Sequence, residues 1–205
     1  MDSHDTLAQE EHTGRIAIIG MACRLPGIDD VEALWRFLLE GGDSARPVDE
    51  ATLRAHGVSE DDIADPAYVR STRSLPGTGE FDAAFFGITP RAASHMDPQQ
   101  RIFLECCQEA MESAGYPPDR EGRQVGVFAG SATSTYMLHH ILPGRTGTAL
   151  NDALLEHAHG NDKDYLTTQV SYRLNLLGPS ISINTACSSA LVAVVEACKS
   201  LAGFD

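Results

Sequence analysis

No C-x-x-C pair occurs among the five cysteines of this 205-residue chain, and none of them lies at zinc-finger spacing from a histidine. Cys23, Cys106, Cys107, Cys187 and Cys198 form an odd set. Reduced thiols in a cytoplasmic protein are therefore expected rather than a disulfide framework. Four of them read as small core residues, and the question is whether one does more. A basic n-region and an apolar h-region are also lacking: Met1 to Gly14 is polar and acidic, so it reads as a flexible linker and not as a secretory signal. No run approaches the roughly 20 apolar residues of a bilayer span, and no membrane partner is expected. Cations are scarce, with 15 Lys plus Arg against 29 Asp plus Glu and a formal net charge of -14. A surface of that sign repels a phosphate backbone, which argues against nucleic acid and in favour of plain solubility.

Two motif absences narrow the chemistry further. After Gly20 the chain reads Met21-Ala22-Cys23-Arg24-Leu25-Pro26-Gly27. The glycines of G-x-G-x-x-G are missing and Pro26 obstructs a helix start, which excludes a Rossmann dinucleotide loop. His139, His140, His157 and His159 occur without an H-E-x-x-H helix or a suitably spaced cysteine, so no metal is expected.

What is present is a chain with 42% hydrophobic residues, enough for a sizeable core. Arg15 to Gly20 (RIAIIG) and Gln124 to Gly130 (QVGVFAG) read as short strands buried on both faces, as in a parallel sheet covered by helices. Asp29 or Asp30 caps a helix from Val31 to about Glu40, ended by Gly41-Gly42. Asp43 to Gly79 is too long for a plain connection and reads as a surface excursion with short helices of its own. Asp97-Pro98-Gln99-Gln100 combines an N-cap, a proline at the first helical position and a capping-box pattern; it predicts a helix to Ser113 with Gly115 beyond its end. A helix from about Asp164 to Leu176, a strand from Ser180 to Asn184 and an apolar helix from Ser188 to Leu201 follow. Strands and helices alternating in this way predict a layered α/β domain with a mixed, largely parallel sheet.

Cys187 stands where the strand turns abruptly into the apolar helix. The unpaired N–H groups and partial positive charge of a helix start favour a thiolate, and the same groups can cradle an oxyanion. Small neighbours, Ala186, Ser188, Ser189 and Ala190, leave room for a substrate. Leu191, Val194, Val195, Cys198 and Leu201 make the helix apolar on almost every face, so central burial is expected to aim its first residue rigidly. The alternative is that Cys187 is a small hydrophobe at a helix start. Ser188 and Ser189 lack a G-x-S-x-G elbow and are expected to work at the helix start instead.

Thr185-Ala186-Cys187-Ser188-Ser189-Ala190-Leu191-Val192-Ala193-Val194 resembles the active-site signature of β-ketoacyl synthases, in particular the ketosynthase domains of modular polyketide synthases. Ile16 to Gly27 with Leu34-Trp35 resembles the opening of such domains. Phe81 to Arg91 with Met96-Asp97-Pro98-Gln99-Gln100-Arg101 forms a second block, and Gly178-Pro179-Ser180, preceded by Tyr165-Leu166 and Val170-Ser171-Tyr172, a third. The resemblance covers about residues 15 to 205. It implies the N-terminal half of a thiolase-like fold and a homodimer in which Ser180 to Asn184 pairs with its twin. It also implies an acyl carrier protein as partner, with substrates on phosphopantetheine and no directly bound cofactor. Cys187 would take the acyl chain and offer its backbone N–H as an oxyanion donor; a malonyl-type extender would then be decarboxylated and condensed with it.

The resemblance also exposes a departure. Its family uses two histidines and a lysine in motifs like H-G-T-G-T and K-x-N-I-G-H downstream of the nucleophile, and none of the eight His here lies in such a context. The expectation is therefore an incomplete domain that needs its C-terminal half and would otherwise expose a large apolar face. A non-elongating, transacylating domain and a non-catalytic docking or dimerisation fragment are the alternatives. Carrier proteins are usually acidic, so docking on this chain calls for a local basic patch, with Arg70 and Arg73 as candidates.

Overall fold

The computed structural model describes residues 15–116 and 124–203, in two compact units. Pro117 and Pro118, expected to prevent continuation of the Asp97-capped helix, lie outside the described residues.

The smaller unit, Cys23–Thr78, is the expected excursion with helices of its own. Helix α1 (Val31–Leu39) starts where Asp30 Oδ1 accepts from the Ala33 amide at 2.6 Å. It ends at Gly41, whose φ of 65° is a left-handed value that suits glycine. Helices α2 (Glu50–Ala55) and α3 (Glu60–Ala64) are capped by Asp49 and Ser59. Strands β1 (Arg46–Pro47) and β2 (Ser71–Thr72) pair antiparallel. Ile28, Leu53 and Ile63 are its buried apolar residues. Both basic docking candidates are engaged here. Arg70 pairs with Glu50 at 2.8 Å and donates to the Ile63 carbonyl, and Arg73 pairs with Asp43 at 3.2 Å.

The larger unit holds β3 (Val127–Ala129) and β4 (Ser180–Ser182), paired in parallel with Val127 opposite Ser180 and Ala129 opposite Ser182. A parallel pair needs a long crossover. Here it contains a π-helical turn (Met137–Ile141), α6 (Gly147–Asn161), a 3-10 turn (Lys163–Tyr165) and α7 (Leu166–Arg173). Preceding the pair are α4 (Pro90–Ser94) and α5 (Pro98–Ser113); following it is α8 (Ser189–Gly203). Helix α7 packs on both strands, α8 on β3, and α5 on α7. The core gathers Phe86, Ile88, Met96, Leu104, Val127, Val170 and Leu174. Full burial of side chains such as Leu104 and Val170 stabilises by about 1.5–3 kcal/mol each.

Helix α5 runs over the expected residues, and Gly115 beyond it has φ 76°. The capping box does not form. Asp97 Oδ1 accepts from the Gln99 amide at 2.7 Å, but the Gln100 side chain donates to the Asp162 carbonyl at 3.1 Å. Asp97 N–H donates to the Gly160 carbonyl at 2.8 Å, and Asn161 Nδ2 to the His95 carbonyl at 2.7 Å. The Met96 to Arg101 block thus fastens the end of α6 to the start of α5, a long-range task that outcompetes a local cap.

Two expectations are corrected. Arg15 to Gly20 is not a buried strand: it has no ladder partner among the described residues, and Ile16, Ile18 and Ile19 are exposed. A strand is buried only by its neighbours; this segment's one close packing is at Gly20, where a β-carbon would strike the Ala110 carbonyl and stand 2.9 Å from Ala114 Cβ. Nor is α8 buried. Only Ala193 is, while Leu191, Val194, Val195 and Leu201 are 71%, 58%, 44% and 61% exposed. The segment Ala186–Gly203, with mean hydropathy 1.3, is long and apolar enough to cross a membrane by composition. A core helix of a soluble protein meets the same test, and Lys199 is paired with Glu196 at 2.8 Å.

Candidate active site

Strand β4 delivers the chain to the site. Ile183 N–H donates to the Ala129 carbonyl at 2.8 Å, continuing the β3 pairing beyond Ser182. Behind β4, Ser182 Oγ lies 3.1 Å from Thr167 Oγ1 and Ser171 Oγ donates to Ser180 Oγ at 3.1 Å, so α7 holds the strand by its hydroxyls as well as by packing. The backbone then reverses: Ala186 takes φ 54°, and Ala186–Ser188 forms a 3-10 turn with Cys187 at its centre. Helix α8 starts two residues after Cys187, so the thiol-bearing residue sits at the end where the first amides have no partner within the helix.

Ser188 and Ser189 hold this turn, as expected of them. Ser188 Oγ donates to the Thr185 carbonyl at 2.7 Å. Ser189 Oγ donates to the Ala186 carbonyl at 2.9 Å and accepts from the Thr185 amide at 2.9 Å. With both hydroxyls engaged in the turn, the exposed side chain at its centre is the Cys187 thiol.

Gly130, next to β3, makes the turn possible. A β-carbon there would collide with the Ile183 carbonyl oxygen and lie 3.0 Å from Ser189 Cβ. Backbone cannot swing aside as a side chain can. Gly130→Ala is expected to destabilise the unit by about 3 kcal/mol and to disorder the turn. Chemical denaturation together with a Cys187 alkylation rate measures both.

The other four cysteines are half-buried, and Cys107 packs on the core. Burial, reinforced by the neighbouring Cys106, pushes the Cys107 thiol up to about 12. At pH 8 its thiolate fraction is on the order of 10⁻⁴. A short iodoacetamide pulse is therefore expected to label Cys187 and spare Cys107, as read by peptide mass spectrometry. His139 and His140 lie on the π-helical turn and His157 and His159 on α6. No group of three or more His, Cys, Asp or Glu is placed to hold a metal among the described residues. The left-handed Ala186 and the Gly130 contact were not read from sequence. A strand ending in glycine was the only signal of the second, and the first leaves none.

The geometry agrees with what the chain resembles. Residues 13–203 match the family model described as "Beta-ketoacyl synthase, N-terminal domain". The chain belongs to the β-ketoacyl synthase family. Its relatives include a component of the phenolphthiocerol/phthiocerol polyketide synthase of Mycobacterium tuberculosis, 48% identical over 191 residues, which are 91% of this chain and 13% of that protein. The pikromycin polyketide synthase component PikAII of Streptomyces venezuelae is 42% identical over 91% of this chain and 5% of its own length. Among solved structures, ketosynthase twelve of the bacillaene polyketide synthase of Bacillus amyloliquefaciens superposes with a TM-score of 0.76 at 36% identity, covering 91% of this chain and 32% of that one. This β-ketoacyl synthase chain thus spans about a third of that solved ketosynthase and a small part of the curated relatives. Its fold is the N-terminal portion of the thiolase-like α/β architecture, in a family of acyltransferase-type enzymes.

Proposed function

We propose that this chain supplies the nucleophile of a polyketide-synthase ketosynthase. Cys187 attacks the thioester carbonyl of an acyl chain held on the phosphopantetheine arm of an acyl carrier protein. The carbonyl oxygen takes the negative charge, with the Cys187 backbone N–H as one donor to it. The arm's sulfur then leaves, reprotonated as a thiol, and the acyl group stays on Cys187. A malonyl-type extender loses its carboxylate as carbon dioxide; the carbanion so formed attacks the Cys187 thioester, and the Cys187 thiolate leaves. The observation that carries this reading is the exposed thiol at the centre of a braced strand-to-helix turn, inside the segment matched to the family. None of the eight His stands in the family's decarboxylation motifs, so that step falls to the C-terminal remainder of the domain.

The partners proposed are an acyl carrier protein, that remainder and a second copy of the chain, in the cytoplasm, with residues 15–205 as the ketosynthase portion and 1–14 as a linker. Strand β4 pairs with β3 on one edge only among the described residues, which leaves an edge for its twin. The test is to incubate the chain, within a complete domain, with an acyl-carrier thioester and locate the added mass by peptide sequencing. The acyl group is expected on Cys187; an adduct elsewhere, or none, overturns the reading.

A further inference from the structure

A cavity of about 350 Å³ opens in the larger unit, and Cys187 is not among the residues that line it. Its wall carries Arg91, His95, His157, His159 and Arg173, with Glu156 as the single carboxylate. In a chain of formal net charge -14 this is a local reversal of sign. Much of the donor capacity is unspent. Arg91 stands in the open, and its guanidinium nitrogen is 3.6 Å from Glu156 Oε1, beyond a good hydrogen bond. Arg173 donates through Nη1 to the Gly87 carbonyl at 3.0 Å, while its buried Nε has no partner. His95 Nδ1 lies 2.8 Å from the Arg91 carbonyl, which places its proton there and leaves the other ring nitrogen without a hydrogen bond. The His95 ring stacks on His157 at 4.6 Å, and His157 Nε2 is 3.8 Å from Glu156. Glu156 is therefore a resident counter-ion, poorly bonded to both the guanidinium and the imidazole beside it.

We propose that this cavity is a binding site for a phosphoryl group, with Glu156 as the internal anion that the ligand displaces. A phosphoryl group brings several acceptor oxygens at once, which suits two guanidinium groups flanked by imidazoles better than a lone carboxylate does. The volume is at the lower end for small-molecule sites and leaves room for an organic part beside the phosphate.

Diethyl pyrocarbonate footprinting of the 205-residue chain tests this, because it reports each histidine separately by mass. Inorganic phosphate, compared with chloride at equal ionic strength, is expected to slow acylation of His95 and His159 severalfold. His56, His139 and His140, which do not line the cavity, should keep their rates. Arg91→Gln should raise the half-protecting phosphate concentration about tenfold, the value of one charge-assisted contact, and Glu156→Gln should lower it. Phenyl phosphate protecting at lower concentration than inorganic phosphate assigns the site to phosphate esters; equal protection assigns it to free phosphate. Protection by chloride, slowing of the control histidines alongside, or shifts in the same direction for the two variants would overturn the proposal.

Discussion

Replacing Cys187 by alanine, within a complete domain, is expected to remove acyl loading and condensation together, a fall on the order of 10⁶-fold for a reaction that depends on one nucleophile. The same substitution should leave stability nearly untouched. Cys187 is exposed, and the turn is held by Thr185, Ser188 and Ser189 rather than by the thiol. A surface change of this kind stays within about 0.5 kcal/mol. Cys107→Ala should invert the pattern: acyl loading is retained, while lost packing against the core lowers the melting temperature. Acyl-carrier loading followed by intact mass, run beside thermal unfolding, separates the two. If Cys187→Ala loads normally, the cysteine is only a small residue at a helix start and the condensing function fails with it.

What the sequence disclosed depended on how local its signals were. Asp30 and Asp97 announce helices because a cap acts on amides two or three residues away, and both helices begin where expected. The parallel pairing of the Gln124 to Gly130 and Ser180 to Asn184 segments also emerged, though with only three residues in each strand. Cys187 at the strand-to-helix turn was legible for the same reason, since strand, small residues and apolar helix are contiguous in the chain. The failures are non-local. Gln100 carried a capping-box signature, yet its side chain reaches Asp162, 62 residues away, because the α6 terminus offers a carbonyl there. Arg15 to Gly20 reads as a buried strand because its side chains are apolar on both faces, but apolarity states what a segment needs and not what it finds. The left-handed backbone at Ala186 has no compositional mark at all, as alanine gives no hint of a positive φ.

The exposed face of α8 leads to a prediction whose sign depends on what surrounds the chain. Leu191, Val194 and Leu201 stand mostly in solvent here, while Ala193 alone is buried, against the side where β3 packs. Apolar side chains exposed together favour self-association. In the 205-residue chain, Leu191→Glu combined with Val194→Lys removes part of that face without breaking a contact in the core. The expected result is less aggregation and no loss of folding stability, measured by sedimentation velocity and thermal unfolding. The solved ketosynthase that this chain superposes on is about three times as long. If further chain of that kind covers α8, each of these side chains contributes about 1.5–3 kcal/mol by burial. The same pair of substitutions would then bury two charges without partners and cost several kcal/mol. Stabilisation in the short chain and destabilisation in the long one is therefore the expected signature of an interface completed by the rest of the domain. Equal tolerance in both would mean that α8 keeps this face in solvent, and that the nucleophile turn is held by β3, β4 and Gly130 without help from beyond the chain.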